Sequence, residues 1–303
     1  LTIVEAPTMP VVEQPSDEEV PAETEPEIFY GYHEMAVDFA ELEANAKNQK
    51  LRNFYGYINS LPKGEKNKYT GMFAGKNMIM ITAEAFAAEV IDPELTPTLY
   101  RLANEGIKVH EYYQPAWGAS TTTGEFSNLI GLVPANGGAS MKEVINQRMF
   151  LTIGNQLQAQ EGYTSLAYHN HFHNFYERHT THRWLGYDKF IARGTGLEVK
   201  AVWPESDLEM IDVTVPQYID KQPFSIYYMT VSGHSVYTKT NHMSHKNYVY
   251  NRYFENLAAN AAGMRPEIKV ITVDTPMRIK PPCQGRTAAM VGIPVRYCTM
   301  AEA

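Results

Sequence analysis

The chain has 303 residues, 44% of them hydrophobic and 12% aromatic, and a formal charge of −8. That length and apolar content carry a sizeable core in one large domain or two small ones, and the acidic balance excludes a nucleic-acid binder, which needs clustered Lys and Arg to meet phosphates. No apolar run approaches the ~18 residues of a membrane span, no charged n-region with an apolar h-region marks a signal peptide, and the start at Leu1 reads as a processed or excised piece with room for an anchor upstream.

Residues 1–45 differ in kind from the rest. Acidic residues recur from Glu5 to Glu43 with no Lys or Arg, and prolines stand at 7, 10, 15, 21 and 26. Like charges and prolines extend such a segment, and it holds too little apolar surface to order itself. Residues 1–28 at least therefore read as a linker or stalk. "FAELEANAKNQKLRNFYGYINSL" (39–61) follows as a helix, with Phe39, Leu42, Leu51 and Phe54 roughly in phase.

From Lys76 strands alternate with helices. "NMIMITAEAF" (77–86) is a short apolar run suited to a buried parallel strand. "TPTLYRLANEG" carries helix punctuation: Thr96 as cap, Pro97 at the first position, Gly106 at the end. "IKVHEYY" (107–113) reads as a strand, and a threonine-rich loop, "WGASTTTGEF", leads into the helix of "FSNLIGL". There Thr122 and Glu125 have the S/T-x-x-E spacing of a capping box. "MFLTIGNQLQAQEG" then predicts a helix, and "TSLAYHN" and "PFSIYYMTVSGH" predict strands. The alternation indicates an α/β fold, a mostly parallel sheet with helices on both faces, whose sites form at the carboxyl ends of the strands.

Polar residues stand at those ends: Glu84, the threonine loop, His169 with the histidines after it, and His234 behind Gly233. A carboxylate and imidazoles near a hydroxyl suit a divalent cation that activates the hydroxyl and neutralises phosphate oxygens. Each also has an ordinary reading. Thr122 can simply cap the helix, Glu84 can be a solvent-facing carboxylate, and most of the histidines can be loop residues. If Thr122 caps, Thr121 lies just outside the helix, where free backbone N–H groups hold phosphate. Cys283 and Cys298 match no zinc spacing and can form one disulfide loop or remain thiols.

In order and spacing, "KYTGMF", "GKNMIMITAEAF", "LTPTLYRLANEGI", "GASTTTGEF", "GYTSLAYHNH", "HRWLGYDKF" and "YYMTVSGHSVYT" resemble the lipoteichoic acid synthase family. These are sulfatase-like phosphoglycerol transferases of the alkaline phosphatase superfamily. The resemblance runs from about Tyr69 to Lys246. It implies a catalytic domain, here 46–303, on the extracytoplasmic face of a Gram-positive membrane, tethered through an upstream anchor. It implies that Thr121 attacks the phosphodiester of phosphatidylglycerol and that a glycerol-phosphate polymer takes the group. By the same resemblance Glu84, Thr121 and Asp274 hold Mn2+ or Mg2+, and His169, Tyr176, Arg178 and His234 meet the substrate. Tyr176 stands where the family has tryptophan. The family's Asp-His metal pair has no counterpart here, since Asp274 is followed by Thr275, and residues 247–303 depart from the family's text. No C-x-P-x-R or S-x-P-x-R sulfatase signature occurs. The other readings are a phosphoethanolamine transferase or other superfamily hydrolase, and an ectodomain that binds wall polymer or lipid headgroups without turnover.

Overall fold

The computed structural model describes residues 28–34, 37–107, 120–135, 137–147, 149–159, 162–234, 237–246, 249–261 and 287–292. Asp274, both cysteines and nearly all of the strand read at 107–113 lie outside them. The described residues fall into two compact units that divide between Met72 and Phe73.

The first unit holds α1 (Phe39–Ala44) and α2 (Gln49–Ser60). The single helix expected over 39–61 is two. Asp38 caps the first by accepting from the Glu41 N–H, and Asn48 starts the second by accepting from the Leu51 N–H, both at 2.9 Å. An Asn side chain that bonds the backbone ahead of it competes with the helix behind it. Neither helix buries a residue.

The second unit is built on β1 (Asn77–Thr82). α3 (Pro97–Glu105) and α4 (Ser120–Ile130) come next, then α5 (Ile153–Gln158) and β2 (Thr164–Phe172). α6 (Arg178–Trp184), β3 (Lys189–Arg193), α7 (Asp207–Tyr218) and β4 (Phe224–Met229) follow. α8 (His242–Lys246), α9 (Val249–Ala261) and β5 (Thr287–Gly292) complete it. The sheet order is β3-β2-β4-β1-β5, and every pairing is parallel. β5 was not legible in a segment dominated by turn residues, and it makes β1 an interior strand.

Both faces of the sheet are covered, which is why β4 reads as an apolar run broken only by Ser225 and all six of its residues are buried. Phe224, Ile226 and Tyr228 alternate onto one face with Tyr168, Met210, Tyr218 and Ile91. Tyr227 and Met229 enter the opposite layer with Phe126, Leu129 and Leu185. Side chains of this size contribute about 1.5–3 kcal/mol each on full burial. They hold the strands in a fixed register, so the residues just past β1, β2 and β4 emerge together on one edge.

Thr96 does stand before α3, but its side chain caps no helix N–H. Its hydroxyl donates instead to the Val90 carbonyl at 2.6 Å and accepts from the Asp92 N–H at 3.0 Å. The preceding turn had stronger use for it.

Candidate active site

The β1 strand ends at Thr82, and Ala83 carries the chain to Glu84. Ala85 then turns it with a left-handed φ of 49°. A non-glycine residue there is strained, and such strain concentrates at functional sites. The Glu84 N–H donates to Thr230 Oγ1 at 2.9 Å, tying the end of β1 to the end of β4. Gly233 completes the junction. A Cβ at that position would lie 2.5 Å from the Glu84 carbonyl oxygen, so only glycine lets the two backbones approach this closely.

Thr121 lies in the first turn of α4, across from Glu84. Its hydroxyl donates to Glu84 Oε2 at 2.8 Å. Burial pushes the Glu84 carboxyl above its ordinary range, while the Thr121 hydrogen bond and the charges of His234 and Arg178 pull against that rise. Glu84 forms no ion pair among the described residues.

The capping box is a misreading. α4 already begins at Ser120, so Thr122 lies inside the helix, where it is buried. Glu125 does not reach back to the helix start. It is fully buried, takes Arg178 Nε at 2.8 Å and Arg178 Nη2 at 2.7 Å on Oε2, and accepts the Tyr227 hydroxyl on Oε1 at 3.0 Å. Burial alone would raise this carboxyl; the Arg178 charge outweighs it and holds it well below the usual carboxylate range. His182 Nε2 stands 3.6 Å from Glu125 Oε1, beyond hydrogen-bond range.

Arg178 opens α6 after two residues in left-handed conformation, Tyr176 (φ 54°) and Glu177 (φ 57°). Its guanidinium lies 5.1 Å from the centroid of the Tyr176 ring, a cation–π distance. Its Nη1 is buried with no hydrogen-bond partner among the described residues. An unpaired buried guanidinium N–H is costly, and a phosphate oxygen would satisfy it.

His169 is buried on β2, and its Nδ1–H donates to the Met229 carbonyl at 2.9 Å. Burial first, and then the Arg178 charge, depress its pKa well below the ordinary imidazole value, so it is neutral with Nε2 as an acceptor. Along β2 the alternation of side chains brings His171 beside His169, their rings 6.1 Å apart. The pairing with β3 shifts register between His169 and Phe172, and His173 turns away to the Arg193 carbonyl.

One segment of the site escaped the sequence reading. In "WPESD", alternate residues enter the site from the start of α7. Trp203 packs edge-on to His171 and His234, with centroids 4.9 and 4.6 Å apart. Glu205 accepts from His171 Nδ1 at 2.9 Å and pairs with Arg193. Asp207 accepts from the backbone N–H groups of Val231 and Ser232 at 2.8 and 3.0 Å, and from Asn170 Nδ2 at 2.9 Å. It thereby ties the end of β2 to the loop that carries Gly233 and His234. The available signal was "SDLE", an S-x-x-E helix start with an acid inside it; Ser206 does cap α7.

The structure thus brings Glu84, Thr121, His169, Tyr176, Arg178 and His234 to the carboxyl edge of a parallel sheet. A buried cation–carboxylate pair lies behind them. A family model described as Sulfatase matches residues 76–264, and the chain belongs to that family. Lipoteichoic acid synthase 1 of Bacillus subtilis (strain 168) is 26% identical over 213 residues, covering 63% of this chain and 32% of that protein. Lipoteichoic acid synthase of Staphylococcus saprophyticus is 26% identical over 220 residues, covering 65% and 32%. The chain spans about a third of the length of these relatives. The crystal structure of the lipoteichoic acid synthase LtaP from Listeria monocytogenes superposes with a TM-score of 0.50 at 19% identity, over 69% of this chain and 58% of that one. That likeness establishes the α/β fold. The chain is a lipoteichoic acid synthase-like member of the alkaline phosphatase superfamily. No helix among the described residues is long and apolar enough to cross a membrane.

Proposed function

We propose that this chain is the extracytoplasmic catalytic domain of a metal-dependent phosphoglycerol transferase, acting through a covalent intermediate on Thr121. The donor is a phosphatidylglycerol-type headgroup and the product a lipoteichoic-acid-type polymer. One observation carries the reading: the Thr121 hydroxyl donates to Glu84 Oε2 at 2.8 Å on the sheet edge where the phosphate would lie.

In the first half-reaction Thr121 Oγ bonds to phosphorus and the bond from phosphorus to the diacylglycerol oxygen breaks. Glu84 Oε2 is the atom placed to receive the Thr121 proton, and that proton passes on to the departing diacylglycerol alkoxide. Arg178 Nη1, which has no partner among the described residues, would meet a phosphate oxygen, His234 would contact the phosphoglycerol, and Tyr176 would wall the glycerol. In the second half an acceptor hydroxyl attacks the same phosphorus, the bond from phosphorus to Thr121 Oγ breaks, and the acceptor's proton passes by way of Glu84 to Thr121 Oγ. No separate water-activating base is needed in a ping-pong course.

The donor set fits a hard divalent cation. Its two described members, the Glu84 carboxylate and the Thr121 hydroxyl, meet at hydrogen-bond distance, and no group of three His, Cys, Asp or Glu stands together among the described residues. Glu84 and Thr121 would hold Mn2+ or Mg2+, with Asp274 as the third ligand we propose. Bound there, the metal supplies Lewis-acid stabilisation of the threonine oxygen and the phosphoryl oxygens.

Calorimetry with Mn2+ on the wild type, Glu84→Ala and Thr121→Ala, beside diacylglycerol release from phosphatidylglycerol vesicles, tests this. Binding that both substitutions weaken, with a glycerophosphoryl adduct on Thr121 by mass spectrometry, is the expected result. Release that survives Thr121→Ala would sink the nucleophile assignment. Because the sequence has no Asp-His pair, the second reading is headgroup binding without turnover. Headgroup affinity with neither release nor adduct would favour it.

A further inference from the structure

The first unit exposes an apolar face. α2 has two apolar stripes. Leu51, Tyr55 and Ile58 are half-buried, and the Tyr55 ring meets Phe39 of α1 with centroids 6.3 Å apart. Phe54, Tyr57 and Leu61 recur at i, i+3 and i+7, the spacing of a second stripe, and are 53%, 61% and 43% exposed. Lys50 lies in line with them, four residues before Phe54. α1 packs on the other side of the helix, where a Cβ at Gly56 would lie 2.7 Å from Glu43 Oε1. At 3.6 residues per turn the open stripe points about half a turn away from that contact. More exposed rings join the unit through the antiparallel bridge of Tyr32 with Glu65. The Lys66 N–H donates to the Gly31 carbonyl and the His33 N–H to the Gly64 carbonyl, both at 2.8 Å. This lays Phe29, Tyr30 and Tyr32, all exposed, beside the lysine-rich turn after α2.

Charge divides between the two sides. The acids Asp38, Glu41 and Glu43 belong to α1 and its cap. From Lys47 to Lys68 there are six cations and one acid, Glu65, in a chain whose formal charge is −8. None of the six forms an ion pair among the described residues, whereas Arg178, Arg193 and Arg252 of the second unit all do.

This combination selects the occupant. A second copy would set cations against cations. A free polyanion would meet the lysines and leave Phe54, Tyr57 and Leu61 in water. An anionic bilayer takes both: rings and leucine enter the boundary between headgroups and acyl chains, and lysine stems run along it to carry their ammonium groups to lipid phosphates. We propose that the first unit is an interfacial docking surface for an anionic lipid bilayer, with Phe54, Tyr57 and Leu61 inserted and Lys50, Lys63 and Lys68 on the headgroups. It uses none of the residues of the candidate active site and does not depend on the transferase reading.

The test is co-sedimentation of the full chain with phosphatidylserine–phosphatidylcholine vesicles, whose headgroups carry no glycerol, beside vesicles of phosphatidylcholine alone. The wild type is expected to bind the anionic vesicles and to leave the neutral ones. The double variant Phe54→Ser, Tyr57→Ser should weaken binding at least about tenfold through lost apolar burial, and Lys63→Glu, Lys68→Glu should do the same through lost attraction. Both pairs are exposed, so circular dichroism should be unchanged. Tyr57→Trp should add emission that bromine-labelled lipid quenches, which adsorption by charge alone would not produce. No binding to the anionic vesicles, or binding indifferent to both pairs, overturns the proposal. So does polyphosphate binding of equal strength that the Phe54 and Tyr57 changes leave untouched, which would mark a polyanion site. Self-association in the ultracentrifuge that the Phe54 and Tyr57 changes abolish, without vesicle binding, would mark an interface between copies instead.

Discussion

Glu125 and Arg178 come from α4 and the start of α6 and meet with about 1% of either side chain exposed. Breaking a buried pair by neutralising one partner leaves the other charge uncompensated, at a cost of about 3–5 kcal/mol. Glu125→Gln keeps the shape and the Tyr227 hydrogen bond, so denaturant unfolding should show that loss almost undiluted. Glu125 also has a depressed carboxyl, so its contribution is present above the unfolded value and is lost as pH falls. Gly233 makes a second residue-scale case. The atom its Cβ would strike is a backbone carbonyl, which cannot swing aside. Gly233→Ala should lower stability by about 1–3 kcal/mol, as overpacking does, and weaken Mn2+ binding, because what moves is the Glu84 backbone. A melting scan and a titration check both. Gly233 was legible from the sequence, as a glycine just ahead of a histidine past a buried strand. Glu125 was misread because T-x-x-E carries the same letters whether its acid serves the backbone or the core. Its partner lies 53 residues on, where no local pattern reaches.

At the scale of elements, Asp207 at the first turn of α7 fixes the loop after β4. Burial raises its carboxyl to about 6 from an ordinary 3.8, against the pull of the Val231 and Ser232 N–H bonds. The folded state therefore binds this proton more tightly than the unfolded chain does. The associated stability is present below about pH 4 and lost as pH rises through about 6. Two pK units correspond to roughly 3 kcal/mol. Urea unfolding from pH 4 to 7 should lose up to that amount in the wild type, and Asp207→Asn should flatten this part of the slope. A profile unchanged by the substitution would contradict the assignment. The strands were the most legible elements, since β1 and β4 are short, mainly apolar runs with both faces covered and β2 carries an apolar centre at residues 166–168. The break between α1 and α2 was not. It turns on Asn48 bonding the Leu51 N–H, a choice between two local hydrogen-bond patterns that apolar phase does not report.

For the molecule as a whole, the site is assembled from ends of strands far apart in sequence, so the topology made Glu84, the threonine loop and His234 readable as one group, and the family resemblance singled out Thr121. What stayed hidden were links across the sheet edge: "WPESD" onto His171, His234, Asn170 and Ser232. Short side-chain reaches from a loop leave no periodic trace. The same dependence applies to the sheet itself. β1, which leads to Glu84, has β4 on one side and β5 on the other, and β5 is Thr287–Gly292. Deleting residues 262–303 should therefore bare a full edge of β1, and an open apolar edge pairs with whatever strand it meets. Light scattering of that truncated form should report association that the full chain lacks.

The order of synthesis makes this more than a matter of where to cut. A ribosome delivers β1 some 210 residues ahead of its neighbour β5, Asn77 pairing with Thr287, and pairings so distant in sequence form slowly. During translation the strand that leads to Glu84 stands half-paired until β5 follows, so the chain's exposed moment falls on the part that its proposed chemistry can least spare.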